Sequence, residues 1–542
     1  MDTDRRNPAA VPGAARRLSR RRVLRQGGAG LAAVLAPDLT RVAAQEATPV
    51  GEATPPVGSD TGLSEAALRQ LEADIEAAMG TFNMVGAAVA LVDRSGIRYG
   101  RGFGVRDLAS DAPVTPETHF LVASTTKSMS SLLVATLVDD GALAWDQLVR
   151  EVWPDFRAPT DELTTTLRVR DLLGMDSGIG EPQAVSTFHQ GDVTAGELMR
   201  SLAALPVTDP PGTTYFYNNT VYAVGGYLPA LVQGTADDQL ETVYARLMQE
   251  RVYRPAGMGT ARITDDPRPY VTDYATGYGP DFTQGTAAQP YAPVGSYAPV
   301  GGTLASLTDM AAYVAMQLNG GTSATGERVV SAANLAECWN PHIDLPTSPE
   351  LDPDLVSAGY GMGWIAQTYR DGRRLVWHNG GIDGFASYIG FLPQDDLGLV
   401  VLTNMGPLPR GLYFAPYVLN LLLSAHFGLN LGVNETVVAQ YQAAEQHLSD
   451  LAAQAEPVDA DAIAPYIGDY EKSWRVAFDA DDTLRLHQSS RDIPLMALPD
   501  GSYVLASGVL PGNTVRFSRD ADGMPWLEIQ DIETVRWSSG PA

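Results

Sequence analysis

Cysteine is almost absent from the 542 residues: Cys338 stands alone, so the chain can close no internal disulfide and offers no cysteine metal motif. A single cysteine in an apolar context reads as a small buried hydrophobe. Lysine is nearly as scarce, Lys127 and Lys472 standing against 35 arginines. Basic residues of both kinds are outnumbered 37 to 64, a formal charge of -27, which excludes nucleic acid as a partner because phosphate binding needs clustered Lys and Arg. The excess acid reads as a solvated surface and names no substrate. After the N-terminal segment there is no uncharged apolar run of the ~18 residues a bilayer span requires, so no stable membrane span is expected. His-Glu-x-x-His, a Gly-rich phosphate loop and the Gly-x-Ser-x-Gly elbow are all missing, so no metal, cofactor or α/β-hydrolase nucleophile is implied.

The remaining composition, 45% hydrophobic and 19% charged, is that of a chain with real cores, and its length suggests at least two domains. Arg20-Arg21-Arg22 precedes a weakly apolar run over residues 27–36, followed by Val42-Ala43-Ala44. The order of basic, apolar and small-residue segments looks like a twin-arginine export signal over residues 1–44, which makes the expected location periplasmic or extracellular. Residues 45–62, rich in Pro, Thr, Gly and Glu, read as a disordered linker.

The main domain is expected over residues 63–430. Residues 64–79 carry Leu68, Leu71 and Ile75 at helical spacing. Residues 85–92 and 97–103 read as strands joined through Ser95-Gly96. Residues 375–378, 386–391 and 399–402 read as three more, with turns at Gly380-Gly381 and Gln394-Asp395-Asp396. Strands at both ends of the domain predict one sheet, with the helical material between them as a separate lobe. Residues 431–460 predict a helical connector. Residues 461–542 alternate short strands with turns at Asp500-Gly501 and Asp522-Gly523, the pattern of a small all-β barrel or sandwich. The fold class is therefore α+β. The C-terminal strands are expected to shape access to a cleft rather than to carry chemistry.

Three segments carry candidate chemistry. Ser124-Thr125-Thr126-Lys127 opens a long apolar helix, and positions i and i+3 share a face, so Lys127 can lie beside the Ser124 hydroxyl. The scarcity of lysine sharpens this weak motif: a Lys retained amid arginines suggests a task Arg cannot do, namely giving up its proton. Tyr217-Asn218-Asn219 could supply a proton relay and an amide holder, although alone it reads as an aromatic core segment. Trp377-His378-Asn379-Gly380-Gly381 sits at a strand end, where glycines let backbone approach a ligand. The N–H groups of Gly381 and Ser124 could form an oxyanion hole, although a lone strand-end histidine is usually structural.

Together, the order and spacing of these segments resemble the Ser-x-x-Lys, Tyr-x-Asn and Lys-Thr-Gly or His-x-Gly triplet of the serine β-lactamase and penicillin-binding-protein family, in its class C, DD-peptidase and D-aminopeptidase branch. Thr115-Pro116-Glu117-Thr118, Val169-Arg170-Asp171-Leu172-Leu173, Tyr360-Gly361-Met362-Gly363-Trp364 and Leu402-Thr403-Asn404 also look like family segments, and the likeness covers about residues 63–430. The resemblance implies an antiparallel sheet flanked by helices with a helical lobe, and a small β-barrel like the one appended to some family peptidases. It implies Ser124 as nucleophile, Lys127 and Tyr217 as the proton-handling pair and Asn219 as substrate orienter. His378 and Gly380 would line the cleft, and the N–H groups of Ser124 and Gly381 would bind the oxyanion.

Two departures stand out. Gly174-Met175-Asp176-Ser177-Gly178 lacks the histidine the family often has before its Ser-Gly pair, and His378 stands where β-lactamases usually have lysine. A histidine is mostly neutral at pH 7 and grips a substrate carboxylate less firmly. The expectation is thus an exported serine hydrolase forming an acyl-enzyme with a small molecule or peptide, cell-wall-derived peptides included, and favouring amides or esters over β-lactams. The alternative is a penicillin-binding or sensing protein that acylates with little turnover.

Overall fold

In the computed structural model, residues 56–58, 62–181, 193–291, 293–347, 354–406, 409–427, 433–488, 491–508, 510–530 and 533–539 are described. The expected export signal, and the linker apart from residues 56–58 and 62, lie outside them.

Ser64 caps helix α1 (Glu65–Thr81), its hydroxyl accepting the Ala67 N–H at 3.2 Å, and Leu71, Ile75, Ala78 and Met79 face inward. Next come β1 (Gly86–Asp93), β2 (Gly96–Asp107) and the short β3 (Ala112–Pro113). The later strands are β4 (Ile343–Leu345), β5 (Leu355–Tyr360), β6 (Ile365–Tyr369), β7 (Arg374–Ile382), β8 (Phe385–Leu392) and β9 (Leu397–Thr403). They form one nine-stranded sheet in the order β3-β2-β1-β9-β8-β7-β6-β5-β4. β1 pairs antiparallel with β9, Ala87 facing Thr403, which joins the two ends of the domain as expected.

β8 and β9 are buried at every residue and β1 at all but its last, so both faces of the sheet are covered. Helix α4 (Leu307–Leu318) lies on one face. Helix α5 (Arg410–Phe427) lies on the other, against α1. The helical lobe is built on α2 (Thr126–Asp139) and α3 (Asn219–Val232). α2 is buried on all sides from Thr126 to Leu137, and its hydroxyls are satisfied internally, Ser128 Oγ on Thr125 O at 2.8 Å and Ser130 Oγ on Pro299 O at 2.6 Å.

Helix α6 (Val433–Gln454) leads to eight antiparallel strands: β10 (Gly468–Tyr470), β11 (Trp474–Phe478), β12 (Leu484–Gln488), β13 (Arg491–Ala497), β14 (Tyr503–Leu505), β15 (Thr514–Arg519), β16 (Pro525–Ile529) and β17 (Glu533–Ser539). β10 pairs with β17, so the sheet closes into a barrel rather than a sandwich. Trp474, Val476, Leu486, Ile493, Val515 and Leu527 fill a core separate from that of the main domain.

One sequence expectation is corrected. Gly380-Gly381 is not a turn: β7 runs through both to Ile382, Gly380 facing Ser387 and Gly381 facing Ala386. The chain reverses at Asp383-Gly384, where Gly384 has φ +76°. The glycine pair serves contact instead of direction, because a Cβ on Gly380 would lie 2.3 Å from Val122 O and 2.9 Å from Ser124 N.

Candidate active site

Ser124 lies in a 3₁₀ turn (Ala123–Thr125) that feeds α2 and packs on β7 and β8. Ala123 takes a left-handed φ of +49°, a conformation that costs a non-glycine residue roughly 1 kcal/mol and recurs at functional sites. The turn leaves Ser124 partly exposed between the helical lobe and the sheet, while Lys127 behind it is fully buried.

Lys127 Nζ donates to Ser124 Oγ at 3.1 Å and to the Val300 carbonyl at 3.2 Å. It also sits 4.7 Å from the centre of the Tyr217 ring and 5.8 Å from that of Tyr222. Burial holds the ammonium pKa well below its ordinary value, opposed only in part by the negative charge of Glu181. The Tyr217 hydroxyl is hydrogen-bonded to Ser124, and burial raises its pKa, so the phenol keeps its proton. Ser124, Lys127 and Tyr217 thus meet in one place, a lysine prone to neutrality beside a tyrosine fixed as a donor.

Tyr217 owes its position to the loop after Asp171-Leu172-Leu173. The Phe216 N–H bonds Met175 O at 2.8 Å, and the Asn218 N–H reaches the Met175 sulfur at 3.2 Å. Asn218 caps α3 by accepting the Val221 N–H at 2.8 Å, and its Nδ2 donates to Ile179 O at 3.0 Å. Met175, in the loop that lacks the histidine, therefore holds the tyrosine segment through its carbonyl and its sulfur.

Glu181 ends the same loop and was not singled out in the sequence. Its carboxylate accepts the N–H groups of Asn219 at 2.8 Å and Thr220 at 3.0 Å, with a further bond from the Thr220 hydroxyl. A carboxylate on the first turn of α3 is favoured by the unpaired N–H groups and the helix dipole. No local pattern announces a cap donated from 38 residues away.

His378 is 1% exposed. Its Nδ1 lies 2.5 Å from Asn379 O and its Nε2 3.3 Å from Tyr360 OH, so Nδ1 carries the proton and Nε2 accepts. Burial, then the neighbouring Lys127 charge, pushes its pKa down to about 3. Gly380 lies against the Ser124 backbone, Gly381 is exposed and follows it on β7, and Asn219 is the first residue of α3, two positions past Tyr217. Lys127, Tyr217 and Gly380 therefore meet Ser124 directly and His378 lies beside Lys127 and Tyr217, whereas Asn219 and Gly381 are placed by their chain neighbours on α3 and β7. Cys338 is buried, its thiol pushed up to about 12 by that burial, and Lys472 is exposed on the barrel.

The family model described as Beta-lactamase matches residues 71–422, well over half of the chain. The chain belongs to the beta-lactamase family. Among its relatives, the unguisins hydrolase ungD of Aspergillus violaceofuscus is 28% identical over 353 residues, 61% of this chain and 60% of the relative. Penicillin-binding protein 4 of Amycolatopsis lactamdurans is 27% identical over 309 residues, 56% of this chain and 76% of the relative. A D-aminopeptidase of Cereibacter sphaeroides is 26% identical over 349 residues, 62% and 60%. The match to ungD thus spans three-fifths of that protein's length. Among solved structures, the octameric penicillin-binding protein homologue from Pyrococcus abyssi superposes with a TM-score of 0.58 at 23% identity, covering 86% of this chain and 99% of that one. The family and the α+β fold with its C-terminal barrel agree with the sequence expectation. No helix among the described residues is long and apolar enough to cross a membrane.

Proposed function

We propose that this beta-lactamase-family chain is a serine hydrolase that forms an acyl-enzyme at Ser124 with amides or esters carrying no carboxylate beside the scissile bond. The contact that carries the reading is Lys127 Nζ to Ser124 Oγ at 3.1 Å, made by a lysine that burial inclines to neutrality. Neutral Lys127 takes the Ser124 proton as Oγ bonds to the carbonyl carbon. The oxyanion is received by the N–H groups of Ser124 and Gly381. Tyr217 gives its proton to the leaving nitrogen or oxygen and regains one from Lys127. Water then attacks the ester, and the same groups run in reverse to free the acid and restore the serine.

The substrate class follows from His378. Both ring nitrogens are engaged and the ring is uncharged, so the position offers no cation to a substrate carboxylate. Among the described residues, the charges that act on Lys127, Tyr217 and His378 are those of Lys127 and Glu181. A D-aminopeptidase among the relatives is in keeping with amide substrates.

The test compares acylation of the parent and His378→Lys by a neutral p-nitrophenyl ester and by benzylpenicillin. The parent should favour the ester, and His378→Lys should raise the penicillin-to-ester ratio on the order of tenfold, since a charged hydrogen bond contributes ~1.5–3 kcal/mol. A parent that prefers penicillin, with the ratio unmoved in the variant, would sink the substrate class. An acyl-enzyme that forms and persists for hours would favour a penicillin-binding or sensing role. Export through Arg20-Arg21 belongs to the same proposal: Arg20→Lys with Arg21→Lys should leave the precursor in the cytoplasm, and undiminished export would refute it.

A further inference from the structure

We propose that the C-terminal barrel is part of the reactive apparatus: a buried ion pair between Arg491 of the barrel and Asp383 of the β7–β8 turn holds the strand that faces Ser124, which makes both positioning residues. The inference rests on the Ser124 chemistry proposed above.

β7 is tied unevenly. Toward β6 its pairing stops at Trp377, which faces Ile365, so from His378 to Ile382 the strand's ladder pairing is to β8 only. This half-tethered stretch carries Gly380, in contact with the Ser124 backbone, and Gly381, the intended oxyanion donor. The distance between that donor and Ser124 N depends on where β7 lies, and β7 ends at the Asp383-Gly384 turn, roughly 10 Å of strand from Gly380.

Several contacts restrain the turn, Gly406 lying against its backbone so closely that a Cβ there would be 2.6 Å from Gly384 C. Gly384 is seated against Gly277, where a Cβ would lie 2.5 Å from the Gly277 Cα, and its carbonyl accepts the Tyr278 N–H at 3.3 Å. One more comes from the barrel. Arg491 Nε donates to Asp383 Oδ2 at 2.8 Å, with the side chains 5% and 4% exposed. Arg491 begins β13 in the inward register it shares with Ile493 and Leu495, opposite the fully buried Gln488 of β12. Among the described residues Asp383 Oδ1 is buried without a hydrogen-bond partner, and Arg491 is the cation paired with this carboxylate. A shielded charge pair with one oxygen unsatisfied is a poor choice for stability alone, but it fixes two elements in one geometry. A second tether, the Phe282 N–H on Ala506 O at 3.0 Å, keeps the barrel beside the hairpin that contains Tyr278.

The experiment uses the full chain with Arg491→Met, Arg491→Lys, Asp383→Asn and the Arg491→Met/Asp383→Asn double variant. Single-turnover acylation by p-nitrophenyl butyrate gives a rate constant and an apparent dissociation constant, measured well below each variant's Tm. Arg491→Met should lower the rate constant about 10- to 100-fold, the scale of a sub-ångström to 1 Å misplacement, with the dissociation constant within about threefold. Arg491→Lys should recover part of the loss, and the double variant should be no worse than the worse single one, as coupled residues behave. A lower Tm with parental acylation would make the pair structural only and overturn the proposal; so would losses that multiply in the double variant. If Arg491→Met does not fold, Asp383→Asn and Arg491→Lys decide by the same criteria. A parent that is not acylated at all would instead defeat the hydrolase reading.

Discussion

Replacing Lys127 by Met should abolish acylation and at the same time stabilise the fold below about pH 9. The side chain is fully buried, and its hydrogen bonds are to Ser124 Oγ and Val300 O. Burial depresses its pKa in the folded state, whereas the unfolded chain titrates near ~10.4. Between those two values the unfolded chain binds one more proton, so the parent's stability rises with pH by up to ~1.4 kcal/mol per unit. Below the window lysine is protonated in both states and the penalty is complete; above ~10.4 it has vanished. Met has nearly the same volume and no such penalty, but it forfeits two hydrogen bonds at about 1 kcal/mol each. Above pH ~10.4 the variant should therefore be less stable by about 2 kcal/mol. The two stability curves should cross about 1.5 units lower, near pH 9, with the variant ahead below that. The assay is a set of thermal melts of both proteins in half-unit steps from pH 7 to 10. At roughly 2 °C per kcal/mol, the Tm difference should change by about 3 °C per pH unit in the window. Acylation should fall on the order of 10²–10⁴. A Tm difference that does not vary with pH would mean that Lys127 stays charged in the folded protein, and the proposed base would be lost.

Lys127→Arg should fail nearly as badly as Met in acylation, because a guanidinium cannot be deprotonated; activity within a few-fold of the parent, in a variant that melts normally, would contradict this. Gly380→Ala should lose acylation by at least about 10²-fold, since its Cβ would meet the fixed backbone at Val122 O and Ser124 N; a parental rate would show that β7 does not need this approach. Glu181→Gln should move the acid limb of the acylation pH profile to lower pH, because the carboxylate raises the Lys127 pKa; a limb that stays put would reduce Glu181 to a helix cap.

Local signals identified what local physics builds. The i, i+3 spacing placed Lys127 beside Ser124, and Ser95-Gly96 marked the turn between β1 and β2. Glu181 was missed because its partners are remote, at the start of α3. The glycine pair was read as a turn because its tight partner, the Ser124 turn, lies more than 250 residues away in the chain. Strands β4 to β6, at one margin of the sheet, are short, carry exposed positions such as Val356 and Ser357, and show no clean alternation. β13 carries Pro494, which argues against a strand, and the choice between barrel and sandwich hung on β10 meeting β17, some 70 residues apart. Arg491, which a β-strand pattern presents as an ordinary surface cation, pairs with Asp383 108 residues away, a contact no local signal announces.

The most direct test of the account is the site of the covalent bond. The parent should be incubated with an excess of a neutral p-nitrophenyl ester, quenched in acid within the burst, and analysed by intact mass and peptide mapping. The account predicts one acyl group per chain, on the peptide containing Ser124, and none in Ser124→Ala. An adduct mapped to another residue, or Ser124→Ala hydrolysing the ester at the parental rate, would contradict it.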